Sequence, residues 1–300
     1  MIKSKSAGRK AFIVTNVIIM LLLSALFLFP YLNVLAKALN DPTDLSHGGV
    51  WLWPRKFTFA NIIQVLQNEG VIYGFQNTLF RVVVGTLTAL TVQYTAAYAL
   101  TRKGLKFKKI IIFYLMMPMY ISGGLVSMYI VLGNLGLVNN LFVYVLPGSF
   151  SFYNMVIIRT YLMTIPDSLQ EAARIDGASE LKILLRIMLP LSLPIVATVG
   201  LWIAVSHWND WTSTLYFITS WKKYTLQYNL VQILKESERI QQIIRDAAEK
   251  GQLTGNATEL MTPEAVEAAQ IIISTLPIIA VYPFVQRYFV KGVMIGSVKE

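Results

Sequence analysis

Few residues of this chain have the means to do chemistry, and they are scattered. Glu171, Arg174, Asp176, Glu180, Lys182 and Arg186 crowd into one stretch, "EAARIDGASELKILLRIMLP", Glu171 to Pro190. Arg81, His207 and Asp210 stand in apolar surroundings. A proton relay across a membrane needs Asp, Glu or His in several spans. The apolar runs offer almost none before His207 and Asp210. No G-x-x-x-x-G-K-[ST] phosphate cradle occurs, and no H-E-x-x-H, G-x-S-x-G or G-x-G-x-x-G. Ser, Asp and His are not grouped as a nucleophilic site. The absence of cysteine excludes disulfides and thiolate metal sites. His47 and His207 are far apart, so no metal centre is expected. The residue inventory argues against a membrane enzyme and against a proton-driven carrier.

The elements that must hold these residues are set by composition. The chain is 55% hydrophobic and only 14% charged, with mean hydropathy +0.55, whereas soluble domains carry about 25% charged residues. Ala11 to Ala36 has no charged residue at all. A hydrocarbon core of about 30 Å needs roughly 20 helical residues. Six segments qualify, near 12–34, 72–100, 110–132, 138–160, 189–211 and 268–290. Lys3, Lys5, Arg9 and Lys10 precede the first, and Ala36-Lys37-Ala38 mimics a cleavage site. The apolar run far exceeds the roughly 7–15 residues of a signal peptide, so a retained helix is expected. The expectation is an all-α polytopic membrane protein with six transmembrane helices.

Net charge +10 and a pI near 9.6 follow from basic loops on one membrane side rather than from nucleic-acid binding. "TRKGLKFKK" (Thr101 to Lys109) has five basic residues and no acid. The N-terminal tail (1–11), the Arg159–Pro190 region and the C-terminal tail (291–300) are also rich in Lys and Arg. With six spans (12–290) all four share one side, which places both termini and the charged stretch in the cytoplasm. Arg81, in "GFQNTLFRVVVGTL", is expected to snorkel toward the outer interface. Trp51 and Trp53 suit an aromatic belt there. The extracytoplasmic loop 212–267 is the longest. Leu230, Ile233, Leu234, Ile240, Ile243 and Ile244 recur in it close to helical spacing. "GQLTGNAT" then breaks the pattern, and Thr262 with Pro263 has the form of an N-cap and N1.

The charged stretch reads as two short helices. Pro166 suits a first turn, and Asp167 and Glu171 favour an N-terminal half. Leu169, Ala172, Ala173 and Asp176 share a face, and the alanines let another surface approach. Gly177 suits a stop and Ser179 a cap. Leu181, Leu184, Leu185 and Met188 follow at i, i+3, i+4, i+7. The result is an elbow on the cytoplasmic face, either a docking site for a soluble partner or an amphipathic segment lying on the bilayer.

The same residues resemble a known family. Glu171, Ala172 and Ala173, three residues, Gly177, nine residues, Ile187, one residue, and Leu189-Pro190 match the EAA motif of ABC-importer permeases at every position. "NTLFRVVVGTL", "AAYALTRKGLKFKK", "IPDSLQEAARIDGAS", "HWNDW" and "YPFVQRYFVKGVMIGSVKE" look like the MalG-like carbohydrate branch. The ending is similar to the lipoprotein/polysaccharide-permease subgroup. The resemblance implies a type I ABC importer permease fold in the bacterial cell membrane. It implies a second homologous permease subunit, two ATP-binding subunits holding ATP and Mg, and an extracytoplasmic sugar-binding protein. Segment 163–190 would be the part that couples to the ATPase, with Glu171 as polar anchor and Gly177 permitting the bend. Gly292 to Glu300 matches a tail that can reach the ATPase, and the long outer loop the part facing the binding protein. An importer of another solute, such as a peptide or phosphonate, shares the motif, but the C-terminal signature argues against it. Sugar sites pair aromatic faces with amides and hydroxyls, which makes Gln93, Tyr94, Tyr98, Asn154, Trp208, Asn209 and Trp211 candidates for the substrate path. Interfacial anchoring and helix linkage are the plainer roles for such residues.

Overall fold

The computed structural model describes residues 7–45, 48–249 and 263–297. Thr262, the "GQLTGNAT" break, His47 and the last three residues lie outside that set. The chain divides into two units, Met1–Asn68 with Leu230–Leu276, and Glu69–Asn229 with Pro277–Glu300. Among the described residues the only extended pairing is a single bridge between Asn40 and Phe57.

In the first unit, α1 (Ala7–Ala38) is one continuous helix despite Pro30 inside it. Phe12, Leu21, Leu26 and Phe27 are each more than half exposed, the surface expected of a helix solvated by lipid. Two short helices follow, α2 (Pro42–Leu45) and α3 (Ala60–Gln67). Their connection is pinned by two buried amides. Asn40 Oδ1 accepts from Lys56 N–H at 2.9 Å, and Asn61 Nδ2 donates to the carbonyls of Ala38 and Asn40. Buried in this way, the amides satisfy backbone groups that the apolar surroundings would leave unpaired. Ala36, Leu45 and Val50 form a small core with Ala265, and Lys37 pairs with Glu264 at 2.6 Å.

The second unit is built on α4 (Glu69–Ala99). Its buried positions Gly74, Thr78, Arg81, Gly85, Ala89, Gln93 and Ala97 recur every three or four residues, and the small ones admit neighbouring backbones. A Cβ at Gly85 would sit 2.6 Å from His207 Nε2. Next come α5 (Lys108–Tyr120), α6 (Gly124–Asn134) and α7 (Phe152–Leu162). The elbow holds α8 (Asp167–Ile175) and α9 (Glu180–Ile183), which continues through a π turn, Leu184–Met188, into α10 (Leu189–Leu191). Then follow α11 (Leu193–Asn209) and α12 (Thr212–Phe217). Ala97, Tyr98, Met155, Ile158, Ile183 and Met188 form its buried core. Two long helices complete the described chain, α13 (Leu226–Glu249) and α14 (Pro263–Ser297). In α13 Leu230 is buried and Ile233, Leu234 and Ile240 half-buried, while the side chains of Ile243 and Ile244 lie outside the described set.

Among the described residues three helices are long and apolar enough to cross a membrane: Gly8–Ala38, Glu69–Ala99 and Glu264–Pro283. Three of the six expected spans are not single helices. Span 110–132 is α5 and α6 bent by 114°, at Ile121–Gly123, where Gly124 takes φ +76°. Span 138–160 is a 3₁₀ turn at Leu141–Tyr144 and then α7, parted by Pro147-Gly148. Span 189–211 is bent by 82° at Ser192, between Pro190 and Pro194. Prolines remove backbone donors and glycine admits positive φ, so the chain stays apolar while the helix ends.

Candidate functional site

The elbow is assembled from local signals. At Gly177, φ +75°, the N–H donates to Arg174 C=O at 3.0 Å, and Ala178 N–H donates to Ala173 C=O at 2.9 Å. This pair of bonds closes a helix C-terminus with a left-handed residue. Ser179 then caps α9, its side chain accepting from Lys182 N–H. Pro166 serves as the N-cap of α8 rather than lying within its first turn.

Glu171, Ala172, Gly177 and Pro190 are exposed, Ala173 is buried, and Ile187 and Leu189 are half-buried against the core. Leu169, Ile175, Leu181 and Leu185 are exposed too, Ile175 to 87%. The expected stripe Leu181–Leu184–Leu185–Met188 is split, because the π turn shifts the register. Leu184 and Met188 face the core, while Leu181 and Leu185 face outward.

Charged groups fix the elbow to its neighbours. Lys103 pairs with Asp167 at 2.7 Å. Glu180 accepts from Tyr98 Oη at 2.9 Å, from Arg174 Nε at 3.0 Å and from Arg102 Nη2. Arg102 also donates to Gln170 Oε1 at 2.7 Å, with its guanidinium 4.2 Å from the Tyr98 ring centre. The hydrogen bond from Lys103 lowers the pKa of Asp167 and raises that of Lys103. Burial works to raise that of Glu180, but Arg102 and Arg174 outweigh it and hold it below the usual carboxylate value.

Toward the other end of α4 a cavity of about 600 Å³ opens between α4, α7, α11 and the 143–151 turn. Its lining includes the ionisable residues Arg81, His207 and Asp210. Arg81 does not snorkel: it is 4% exposed and pairs with Asp210. Its Nη1 donates to Asp210 C=O at 2.9 Å and its Nε to His207 Nδ1 at 3.3 Å. Asp210 Oδ1 accepts from the N–H and hydroxyl of Thr212, turning the chain into α12. Gln93 is buried and donates to Ser149 C=O at 3.3 Å, and its Oε1 has no hydrogen-bond partner among the described residues.

Of the substrate-path candidates, Gln93 and Asn154 line this cavity. Tyr94 is buried with its hydroxyl 2.8 Å from Ser192 Oγ, at the break before α11. Tyr98, in the last turn of α4, donates to Glu180 of the elbow. Trp208 packs edge-on against Phe75 at 6.3 Å, and Asn209 and Trp211 lie outside the lining. The lining adds Tyr144, Tyr153, Trp202 and Ser206, which the sequence reading did not select. Trp202 and Ser206, spaced i, i+4, share one face of α11, and Asp210 follows as its C-cap. Aromatic faces beside amides and hydroxyls can bind a polyhydroxylated ligand.

Protein LplC of Bacillus subtilis is 34% identical over 294 residues, covering 98% of this chain and 96% of that protein. The polygalacturonan/rhamnogalacturonan transport system permease protein YtcP of the same organism is 29% identical, covering 93% and 95%. The crystal structure of a bacterial ABC transporter that imports the acidic polysaccharide alginate contains a chain of like fold, with TM-score 0.83 and 27% identity over 96% of this chain and 100% of that one. The model of one family spans residues 7–295, and with relatives matched along their whole length this chain belongs to that family, the binding-protein-dependent transport system inner membrane components.

Proposed function

We propose that this chain is a transmembrane permease subunit of an ATP-driven ABC importer for carbohydrate, an oligosaccharide, in the bacterial cytoplasmic membrane. It catalyses no reaction itself. ATP and Mg bind to two separate ATP-binding subunits, a second homologous permease completes the path, and an extracytoplasmic binding protein delivers the sugar. Both termini and the elbow face the cytoplasm. Family membership and the polysaccharide-linked names of the relatives support the class of cargo. The observation that carries the mechanism is the exposed elbow. Glu171 and Ala172 stand free beside Ile175, on a helix stopped by a left-handed glycine.

An ATPase groove receives α8, with Glu171 as polar anchor and the alanines admitting close packing. Ile187, Leu189 and Pro190 root the elbow at the start of α10 and α11. Closure of the ATPase dimer moves the elbow, and the spans pass between inward-open and outward-open states. Such an equilibrium shifts only as far as ATP and loaded binding protein favour one state over the other. The cavity holding Gln93 and Asn154 is the segment of the path that this chain lines. The test is uptake and ATPase activity of the assembled importer carrying Glu171→Lys or Gly177→Pro. Membrane insertion is retained, uptake is lost and ATP hydrolysis no longer responds to substrate. Unchanged transport in both variants would remove the elbow from the mechanism.

A further inference from the structure

Glu180 lies outside the EAA motif positions, yet its carboxylate gathers donors from three elements. Tyr98 sits in the last turn of α4, Arg102 in the loop that follows it, and Arg174 in the last turn of α8. Arg102 extends the set to Gln170, which is 6% exposed on the inner face of α8. Lys103 adds Asp167, the first residue of that helix. Both arms of the elbow are thereby tied by side chains to the last turn of α4 and the loop that follows it, from which they are separated in sequence by α5, α6 and α7.

From this geometry we infer that Glu180, with Tyr98 and Arg102, is a positioning strap that makes α4 and the elbow move as one body. The inference rests on the importer reading above and adds a second route to it. Without the strap, a displacement of the elbow leaves only along the chain, through α7 and through α10 into α11. With it, the displacement also enters α4 directly. Gln93 lies five residues before Tyr98 in α4, about 7.5 Å along the helix, so a shift entering at Tyr98 reaches the cavity lining without passing a break. Breaks occur on the covalent route at Ser192, where α11 turns by 82° from the preceding helices.

Glu180 is not placed there for stability. Its side chain is 58% exposed, and ion pairs so exposed to solvent add little to folding. What a charge-assisted, multidentate arrangement adds is fixed geometry. A strap of this kind is felt in the work the complex does per ATP, not in whether the complex forms.

The experiment uses the complete importer in proteoliposomes, with Glu180→Ala and, as the milder change, Glu180→Gln. The ATP-binding subunits are expected to co-purify with both variants. Sugar moved per ATP hydrolysed is expected to fall about tenfold in Glu180→Ala, a typical coupling strength, and less in Glu180→Gln. The direct readout is the distance between nitroxides at Thr95→Cys and Leu181→Cys, introduced into a chain that has no native cysteine. It is expected to stay fixed between nucleotide-free and ATP-trapped complexes, and to change between them once Glu180→Ala is added. A Thr95–Leu181 distance that already changes with nucleotide in the intact chain overturns the strap, as does an unaltered sugar-to-ATP ratio in Glu180→Ala. If the unaltered complex shows no sugar-stimulated hydrolysis, the importer reading falls, and the strap with it.

Discussion

Arg81 is held by a buried arrangement in which the hydrogen-bond partners come from the far end of α11 and just beyond it. Asp210 takes the charge, and His207, Ser213 and the Asp210 carbonyl take further N–H groups. Its guanidinium also lies 5.0 Å from the Tyr144 ring centre. Removing one member of such a pair strands the other in a medium that solvates charge badly. Arg81→Ala is therefore expected to destabilise the chain by about 3–5 kcal/mol. Arg81→Met with Asp210→Asn is expected to recover most of that loss, because both buried charges are removed while the side-chain oxygen that accepts from Thr212 is kept. Unfolding midpoints in detergent for the two single variants and the double variant give the interaction energy directly. A double variant no more stable than Arg81→Ala would show that the pair is not what holds this corner. The sequence reading sent Arg81 to the interface because its partner lies 129 residues away, and nothing local in "GFQNTLFRVVVGTL" marks the pairing.

At the scale of elements, the elbow was legible because each of its signals is local. Gly177 stops α8, Ser179 starts α9, and the acids gather at the helix starts. The interrupted spans were not legible, because windowed hydropathy averages over Ser192, Pro147-Gly148 and Gly123-Gly124 without registering that hydrogen bonding ends there. The π turn escaped for a related reason: one added residue per turn changes which face of a helix is buried without changing composition. The elbow also carries a pH prediction. Asp167 and Glu180 have depressed pKa values in the folded chain, so their stabilisation is fully present above their unfolded values, near pH 4–5, and is lost as pH falls through the lower folded values. Lys103 is shifted upward, so its share is present below about pH 10 and fades only at higher pH. Between those limits the strap is insensitive to pH. Hydrogen-exchange protection of the amides in 167–180, corrected for intrinsic rates, is expected to be flat from about pH 6 to 8 and to fall below about pH 4. A midpoint near neutrality would place control of the elbow in groups other than these.

For the second unit as a molecule in a membrane, side-chain contacts restrict the topology more tightly than hydropathy does. Glu69–Ala99 spans 31 residues, about 46 Å of helix against a hydrocarbon core of about 30 Å. Near its start Asn77 donates to the carbonyls of Lys222 and Tyr224, and Arg81 meets Asp210. At its end Tyr98 and Arg102 meet Glu180. Residues 210–224 and the elbow therefore lie on opposite membrane faces, with α11 returning between them. Lys103 touches Asp167, so everything from Lys108 to Leu162 leaves and re-enters on one face, however its bent helices cross. Five basic residues and no acid in Thr101–Lys109 support the proposal that this face is the cytoplasmic one. Alkaline phosphatase, active only outside the cytoplasmic membrane, is expected to be active when inserted between Thr219 and Ser220 and inactive when inserted after Gly104. Activity at both sites, or at neither, would contradict the contacts that place the two ends of α4 on opposite faces. Activity after Gly104 alone would keep those contacts and reverse the orientation, carrying the elbow away from any cytoplasmic ATPase.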